Sequence, residues 1–491
     1  MAPTVRLLLP QGGLRRWHEN LCAALARNGA EVVVDWRAAP RRPAAIALLD
    51  ELERLLLARR PESALDISQA ADALRSSGAA ADFTFDLTGR SAPEPDAIFP
   101  VYCDAIGEDA CDHALLSGVA PLVSLAKKID GKLSIFAQGL PALPQPRSFR
   151  RNKEAIVARV ATLIRGLVER GCCVGTPLHA APLPENPSAQ AFLAKSLAAK
   201  VASRLSRLVA HEGHWRVAWR PLASPEDAVA ERLVWPEAEW RELEDDRRRY
   251  YADPFLFEHD GVVHVFCEEY PYATGKAILS WFPLTTEGEP AHAPRPILER
   301  PYHLSYPLVF RHADRIWMMP ETCGGRTLEL YRADPFPTRW VLDRVLLQDV
   351  EVSDATFFEH DGRHWLTVSE RDDGASDWDC LSLFVGASPL GPWSRCGAGP
   401  VLVDAAAARP AGRAFLRGGD LWRPAQDCTG GYGSGLALCR VERIDEGGFA
   451  QSIESRLGPP PKLFGDGVHT LNVGGGFETI DVVGLRRKPM A

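Results

Sequence analysis

A ten-residue phrase returns through the second half of the chain, and its spacing constrains the fold more than any other feature. It reads Ala252-Asp253-Pro254-Phe255-Leu256-Phe257-Glu258-His259-Asp260-Gly261, then Ser305-Tyr306-Pro307-Leu308-Val309-Phe310-Arg311-His312-Ala313-Asp314, then Ser353-Asp354-Ala355-Thr356-Phe357-Phe358-Glu359-His360-Asp361-Gly362. A weaker copy runs from Pro410 through Phe415-Leu416-Arg417-Gly418-Gly419-Asp420 to Trp422. Each strong copy leads into a second strand-like run, so each predicts a hairpin with a tight His-Asp-Gly-like turn. The copies lie 53, 48 and about 57 residues apart. A period near 50 built from short strands predicts propeller blades. Five blades can be counted, starting near Asp253, Tyr306, Asp354, Arg413 and His469. The last supplies only two clear strands. The strand over 215–219 is expected to complete it, because an open ring leaves sheet edges exposed.

The first part of the chain has a different rhythm. Strands at 5–9, 31–34 and 83–87 alternate with helices over 14–28, 44–58 and from Asn152 to Gly171, which predicts an α/β domain with an open, mostly parallel sheet. A proline-rich stretch over 176–186 reads as a linker, and a helix follows from Pro187 to about Ala210. The expected division is 1–172 for the α/β domain, 173–212 for linker and helix, and 213–491 for an all-β five-bladed propeller.

Composition removes several classes of function. At 491 residues the chain is too long for one core. A net charge of −8 gives no sign of a general nucleic-acid binder. The eleven cysteines form no Cys-x-x-Cys pair, and Cys172-Cys173 is a poor zinc or disulfide pattern, so they read as reduced thiols in a cytoplasmic protein. No signal-peptide core and no membrane span are expected, nor any metal or cofactor. The oligomeric state is left open.

In a propeller the innermost strand of each blade lines the centre, so residues far apart in sequence converge there. Asp253 and Asp354 occupy equivalent places in blades one and three, and Glu321 ends the second strand of blade two. Such carboxylates hold sugar hydroxyls or perform acid/base work on a glycosidic bond. Glu269 and Tyr306 join the expected substrate-binding set. In blade four, Arg413 and Arg423 have forked donors suited to a carboxylate or phosphate. With Gln426 and Asp427 they point to a glycan bearing an anionic group, or to a sugar phosphate. His469, at the start of the last blade, is placed near the axis.

The opening Ala252-Asp253-Pro254-Phe255 resembles the first blade of the five-bladed arabinanase, xylosidase and levansucrase superfamily. That resemblance implies Asp253 as base or nucleophile and Asp354 as its orienting partner. It also implies a blade-four Glu as acid, where this chain has Arg409-Pro410-Ala411-Gly412-Arg413, leaving Glu321, Glu269 or Glu370 to substitute. A narrower resemblance rests on Pro320-Glu321-Thr322, Ser353-Asp354-Ala355-Thr356, Gly391-Pro392-Trp393, Arg423-Pro424-Ala425-Gln426-Asp427-Cys428, Tyr432-Gly433 and Gly467-Val468-His469-Thr470. Their order is similar to the propeller domain found N-terminal in glucosamine inositolphosphorylceramide transferases, over roughly 213–485. In those proteins a separate glycosyltransferase domain follows, and none is expected in this sequence. In the first domain, Asp86-Leu87-Thr88-Gly89-Arg90 and Asp130-Gly131-Lys132-Leu133 resemble a degenerate formyltransferase, with Asp130 as its Asp and without the Asn-x-His partner. The expected function is glycosyl hydrolysis or transfer on a sugar, sugar phosphate or glycoconjugate. The alternatives are a non-catalytic glycan-binding module and formyl transfer to an amino sugar.

Overall fold

The computed structural model describes residues 2–56, 63–68, 80–171, 187–372 and 374–489. The linker stretch over 176–186 and the Cys172-Cys173 pair lie outside the described residues. The chain divides into two compact units: residues 1–202 with 372–376 and 397–404, and residues 203–371 with 377–396 and 405–491.

In the first unit, β1 (Thr4–Gln11), α1 (Arg16–Arg27), β2 (Glu31–Ala38), α2 (Ala44–Leu56) and β3 (Phe83–Asp86) build a parallel sheet in the order β2-β1-β3. Val5, Leu7, Leu8 and Leu9 are all buried, as expected of a central parallel strand covered on both faces. The rest of the unit departs from a single parallel sheet. β4 (Phe99–Tyr102), β5 (Ala105–Ile106), α3 (Glu108–Leu116), β6 (Val123–Ile129) and β7 (Lys132–Gly139) include a second, antiparallel sheet ordered β5-β4-β6-β7. The β6–β7 turn is Asp130-Gly131, with φ of 50° and 77°, a geometry that joins adjacent antiparallel strands directly. The long helix α4 (Phe149–Arg170) is buried along most of its length. Glu53 caps it, accepting the Phe149 N–H (3.0 Å), the Arg150 N–H (2.9 Å) and the Ser148 hydroxyl (2.8 Å). An acid at a helix N-terminus satisfies otherwise unpaired donors and opposes the helix dipole. α5 (Ala189–Val209) follows.

The second unit contains five antiparallel blades, each with four strands in consecutive pairing order. Blade I is Arg249–His259, Val262–Pro271, Ile278–Leu284 and Arg295–Leu298. Blade II is Ser305–His312, Arg315–Glu321, Thr327–Ala333 and Trp340–Gln348. Blade III is Val352–His360, Arg363–Glu370, Cys380–Gly386 and Trp393–Arg395. Blade IV is Phe415–Arg417, Asp420–Asp427, Gly435–Asp445 and Gly448–Leu457. Blade V takes Leu471–Gly474 and Phe477–Arg487 from late in the chain, and Ala210–Pro221 and Arg241–Glu242 from before blade I. The strand Phe477–Arg487 pairs antiparallel with Ala210–Pro221, so the ring closes as the edge argument requires.

Bonds between the inner edges of neighbouring blades run round the whole ring. Tyr306 binds Asp253, the Tyr306 hydroxyl meets Thr356, Arg409 binds Asp354, Arg413 N–H binds Asn472, and Asn472 binds the Pro254 carbonyl. The repeated phrase has one backbone meaning. Register shifts follow Ala252, Ser305 and Ser353, and the next residue in each blade has positive φ: Asp253 at 50°, Tyr306 at 48° and Asp354 at 53°. A bulge at the same point of three blades re-aims three side chains in the same way.

Candidate active site

The bulged residues begin the site. Asp253 is 4% exposed and is held by two neighbouring blades. The Tyr306 N–H donates to its Oδ2 at 3.1 Å, and the Thr470 hydroxyl donates to its Oδ1 at 2.9 Å. Asp481 anchors the arrangement from blade V. It accepts the N–H groups of Asp253 (2.9 Å), His469 (3.1 Å) and Thr470 (3.0 Å), and lies 2.7 Å from His469 Nδ1. His469 Nε2 is 3.7 Å from Asp253 Oδ1, and its ring stacks on Trp215 with centroids 3.8 Å apart. Burial opposes charge on His469, yet Asp481 and Asp253 together raise its pKa. Ligand atoms of Asp253, His469 and Asp481 fall within 4.8 Å of one another, a grouping that could hold a cation. Asp481 and His469 Nδ1 are already engaged with each other.

On the other side of the centre, Arg409 gathers three acids. Its Nε donates to Asp354 Oδ2 at 2.6 Å, Nη1 lies 3.1 Å from Asp377, and Nη2 lies 3.8 Å from Glu321 Oε2. Gln426 Nε2 also donates to Asp354, at 2.9 Å. The Arg409 guanidinium sits 5.0 Å over the Tyr432 ring, and that ring meets His469 edge-on at 5.4 Å, so an aromatic wall joins the two halves of the cluster.

Glu321 Oε2 is buried with no hydrogen-bond partner. Burial, followed by repulsion from Asp354, pushes the Glu321 pKa well above the usual carboxylate range, against the pull of Arg409. Burial also lifts Asp253, to about 6, against the pull of His469 and with added repulsion from Asp354 and Asp481. Asp354 is raised by burial despite Arg409. The three expected catalytic acids therefore face a common centre and feel one another's charge. Such groups titrate as a set.

A fourth central carboxyl is Glu268, raised well above its ordinary pKa by burial and by repulsion from Asp253 and Glu321. The register explains why it belongs here and Glu269 does not. Ala252 pairs with Glu268 as Ser305 pairs with Glu321, so Glu268 and Glu321 are equivalent. Glu269 points to the opposite face, where it binds Arg249 (2.5 Å) and Ser280 (2.5 Å). Glu370 does the same in blade III, binding Ser382 (2.5 Å) and Arg395 (2.6 Å). One residue along a strand reverses the face.

Of the other expected binding residues, Tyr306, Gln426 and His469 reach the cluster and three do not. Arg423 donates to the carbonyls of Ala407 (2.8 Å) and Ala408 (2.7 Å) and to Gln451 (2.8 Å), which makes it a brace inside blade IV. Asp427 pairs with Arg456 at 2.7 Å, with the Thr429 hydroxyl as a second partner. Arg413 bonds the Val309 carbonyl and lies 5.7 Å over the Phe255 ring; burial lowers its pKa to about 10. The expected surplus of positive charge is thus replaced by a surplus of carboxyls around Arg409 and His469.

The first unit has a cavity of about 150 Å³ at the carboxyl ends of β1, β2 and β3, the usual ligand position in such sheets. Arg15, His18, Arg42, Tyr102, Glu108 and Lys153 line it. Burial lowers His18 to about 3, so the ring is neutral. Asp130 is not among its lining residues; it occupies the exposed β6–β7 turn.

Comparison with known proteins places the propeller. Residues 243–459 match the family model described as glucosamine inositolphosphorylceramide transferase 1, N-terminal. Proteins named glucosamine inositolphosphorylceramide transferase 1 from Oryza sativa subsp. japonica and Arabidopsis thaliana are each 33% identical to it, over 198 and 200 residues. Each match covers 40% of this chain and 26% of the relative, so the chain spans about a quarter of those relatives. Among solved structures, an exo-β-1,3-galactanase from Clostridium thermocellum aligns with TM-score 0.36 and 11% identity, over 53% of this chain and 62% of that one. A GH43 enzyme from Xanthomonas citri aligns with TM-score 0.34 and 14% identity, over 44% and 79%.

Proposed function

Residues 243–459 are a domain of the glucosamine inositolphosphorylceramide transferase N-terminal family, and from that premise we propose that the propeller binds a sugar at its central carboxyl cluster and there cleaves or transfers a glycosyl group. The observation that carries the reading is the inequality of two carboxyls at one centre. Asp253 receives donors on both oxygens, whereas Glu321 Oε2 is buried and receives none. Near neutral pH Asp253 is ionised and serves as base or nucleophile. Glu321 keeps its proton and gives it to the leaving oxygen. Asp354, fixed by Arg409 and Gln426, orients the pair. Unequal environments that split two carboxyls into acid and base are the usual arrangement for glycosidic-bond chemistry.

Acidic walls repel an anionic sugar and suit hydroxyls or an ammonium group, so the proposed ligand is a neutral or amino sugar, alone or in a glycoconjugate. The word glucosamine in the relatives' names agrees with that choice. Calorimetry of the full chain against neutral sugars, amino sugars and sugar phosphates tests binding, and aryl glycosides test turnover. We expect neutral or amino sugars to bind, and turnover to vanish in Asp253→Asn and Glu321→Gln. Binding with no turnover, unchanged by Glu321→Gln, would establish the second reading, a non-catalytic glycan-binding module. One observation favours that reading: Arg409 stands at the start of blade IV, where the resembled hydrolases carry their acid.

A further inference from the structure

Helix α5 is inside out for a helix of a folded protein. Its apolar side chains Leu197, Val201, Leu205 and Leu208 are 47%, 58%, 62% and 73% exposed, and Val209 is 67% exposed. They recur every three or four residues, so they form one stripe. Its buried positions are Ala189, Phe192 and Ser196, on the opposite side of the helix. The charges are as one-sided as the apolar groups. From Pro187 to Ala210 the chain carries Lys195, Lys200, Arg204 and Arg207 and no Asp or Glu, in a protein of net charge −8. Arg207 is paired with Glu212 at 2.9 Å, just beyond the helix.

We propose that this face of α5 docks on the surface of a membrane containing anionic lipid, with the leucine stripe in the headgroup boundary and the cations against lipid phosphates or carboxylates. An apolar stripe flanked only by Lys and Arg is the pattern of helices that lie in the bilayer interface. The helix lies on the membrane and does not cross it, since no described helix is long and apolar enough to span. Charge decides against the other obvious cover, a second copy of α5, because two stripes brought together would align like charges with no acid on either helix to offset them. An anionic surface supplies the missing sign at Lys195, Lys200 and Arg204.

The experiment is flotation of the full chain with vesicles of phosphatidylcholine alone and of phosphatidylcholine mixed with phosphatidylserine. Binding is expected to the mixed vesicles only and to weaken with added salt. Val201→Asp with Leu205→Asp should reduce it at least about tenfold. Lys200→Gln with Arg204→Gln should reduce it by about tenfold or more. Val201, Arg204 and Leu205 are exposed and Lys200 is half-buried, and an unchanged thermal melt shows that the variants fold. No flotation with anionic vesicles, or flotation indifferent to both variants, overturns the proposal. So does a doubled molar mass by light scattering that Val201→Asp with Leu205→Asp abolishes, because that assigns the face to a second copy. None of these outcomes touches the sugar reading, whose assays use soluble ligands.

Discussion

Replacing Asp253 by Asn should alter how the stability of the propeller depends on pH. Asp253 has its pKa raised from 3.8 to about 6, with burial the largest cause. A carboxyl whose folded pKa lies above its unfolded one contributes stability that is fully present below about pH 3.8 and is lost as pH rises through about 6. Each tenfold change in proton affinity is worth about 1.4 kcal/mol, so ionising this group costs the folded state about 3 kcal/mol by neutral pH. Asn cannot ionise, and it can still accept the Tyr306 N–H while its amide faces the Thr470 hydroxyl. The stability difference, variant minus wild type, should therefore grow by up to about 3 kcal/mol between about pH 4 and about pH 7. In melting temperature that is roughly 6–12 °C for a domain of this size. Melts followed by tryptophan fluorescence across that range supply the curve. A difference that stays flat, or that falls as pH rises, would refute the claim that Asp253 is an ionised, destabilised acid at neutral pH.

The remaining expectations concern its neighbours. Arg409→Met strips Asp354 and Asp377 of their shared cation and should cost about 3–5 kcal/mol in urea unfolding at neutral pH; recovery by Arg409→Lys would show that the fork is not needed. Glu268→Gln should weaken sugar binding with little loss of stability, whereas Glu269→Gln should cost about 1–3 kcal/mol and leave binding alone. The reverse result would invert the strand-face assignment. Gly412, at φ 135°, has room for no side chain: an added Cβ would lie 2.0 Å from the Leu471 carbonyl oxygen. Gly412→Ala should cost about 3 kcal/mol or more, read from the same unfolding curves.

The blades were legible because the repeated phrase carries turn chemistry and strand alternation together, and both act locally. The seam at 215–219 was legible because a ring must hide its edges. The centre was half legible. Asp253 and Asp354 stand at the same place in a repeat, which can be seen without coordinates. Glu268 and Glu269 are adjacent and chemically equal, and only the register to Ala252 separates the central acid from the one buried against Arg249. Aligning Cys267-Glu268 with Pro320-Glu321 across blades would have found it. Arg423 and Asp427 misled because four residues along a strand put them on one face, yet the carbonyls of Ala407 and Ala408, remote in sequence, took the guanidinium first. The role of Arg409 is invisible in its own stretch of chain, since it comes from acids on two other blades. The antiparallel half of the first unit was missed because a hairpin over 123–139 breaks the strand–helix alternation that organises the residues before it.

The seam of blade V has a consequence for when the site exists at all. The groups that hold Asp253 come from Tyr306 in blade II and from His469, Thr470 and Asp481 in blade V, and blade V is complete only when Phe477–Arg487 has found Ala210–Pro221. No four blades alone assemble the carboxyl cluster, however well each has folded. Ring closure and site assembly are therefore one event. A sugar bound across Asp253 and Glu321 would act as a clasp on that seam, favouring the closed ring by its binding free energy. Opening that pair of strands would release the ligand well before the inner blades lose their structure.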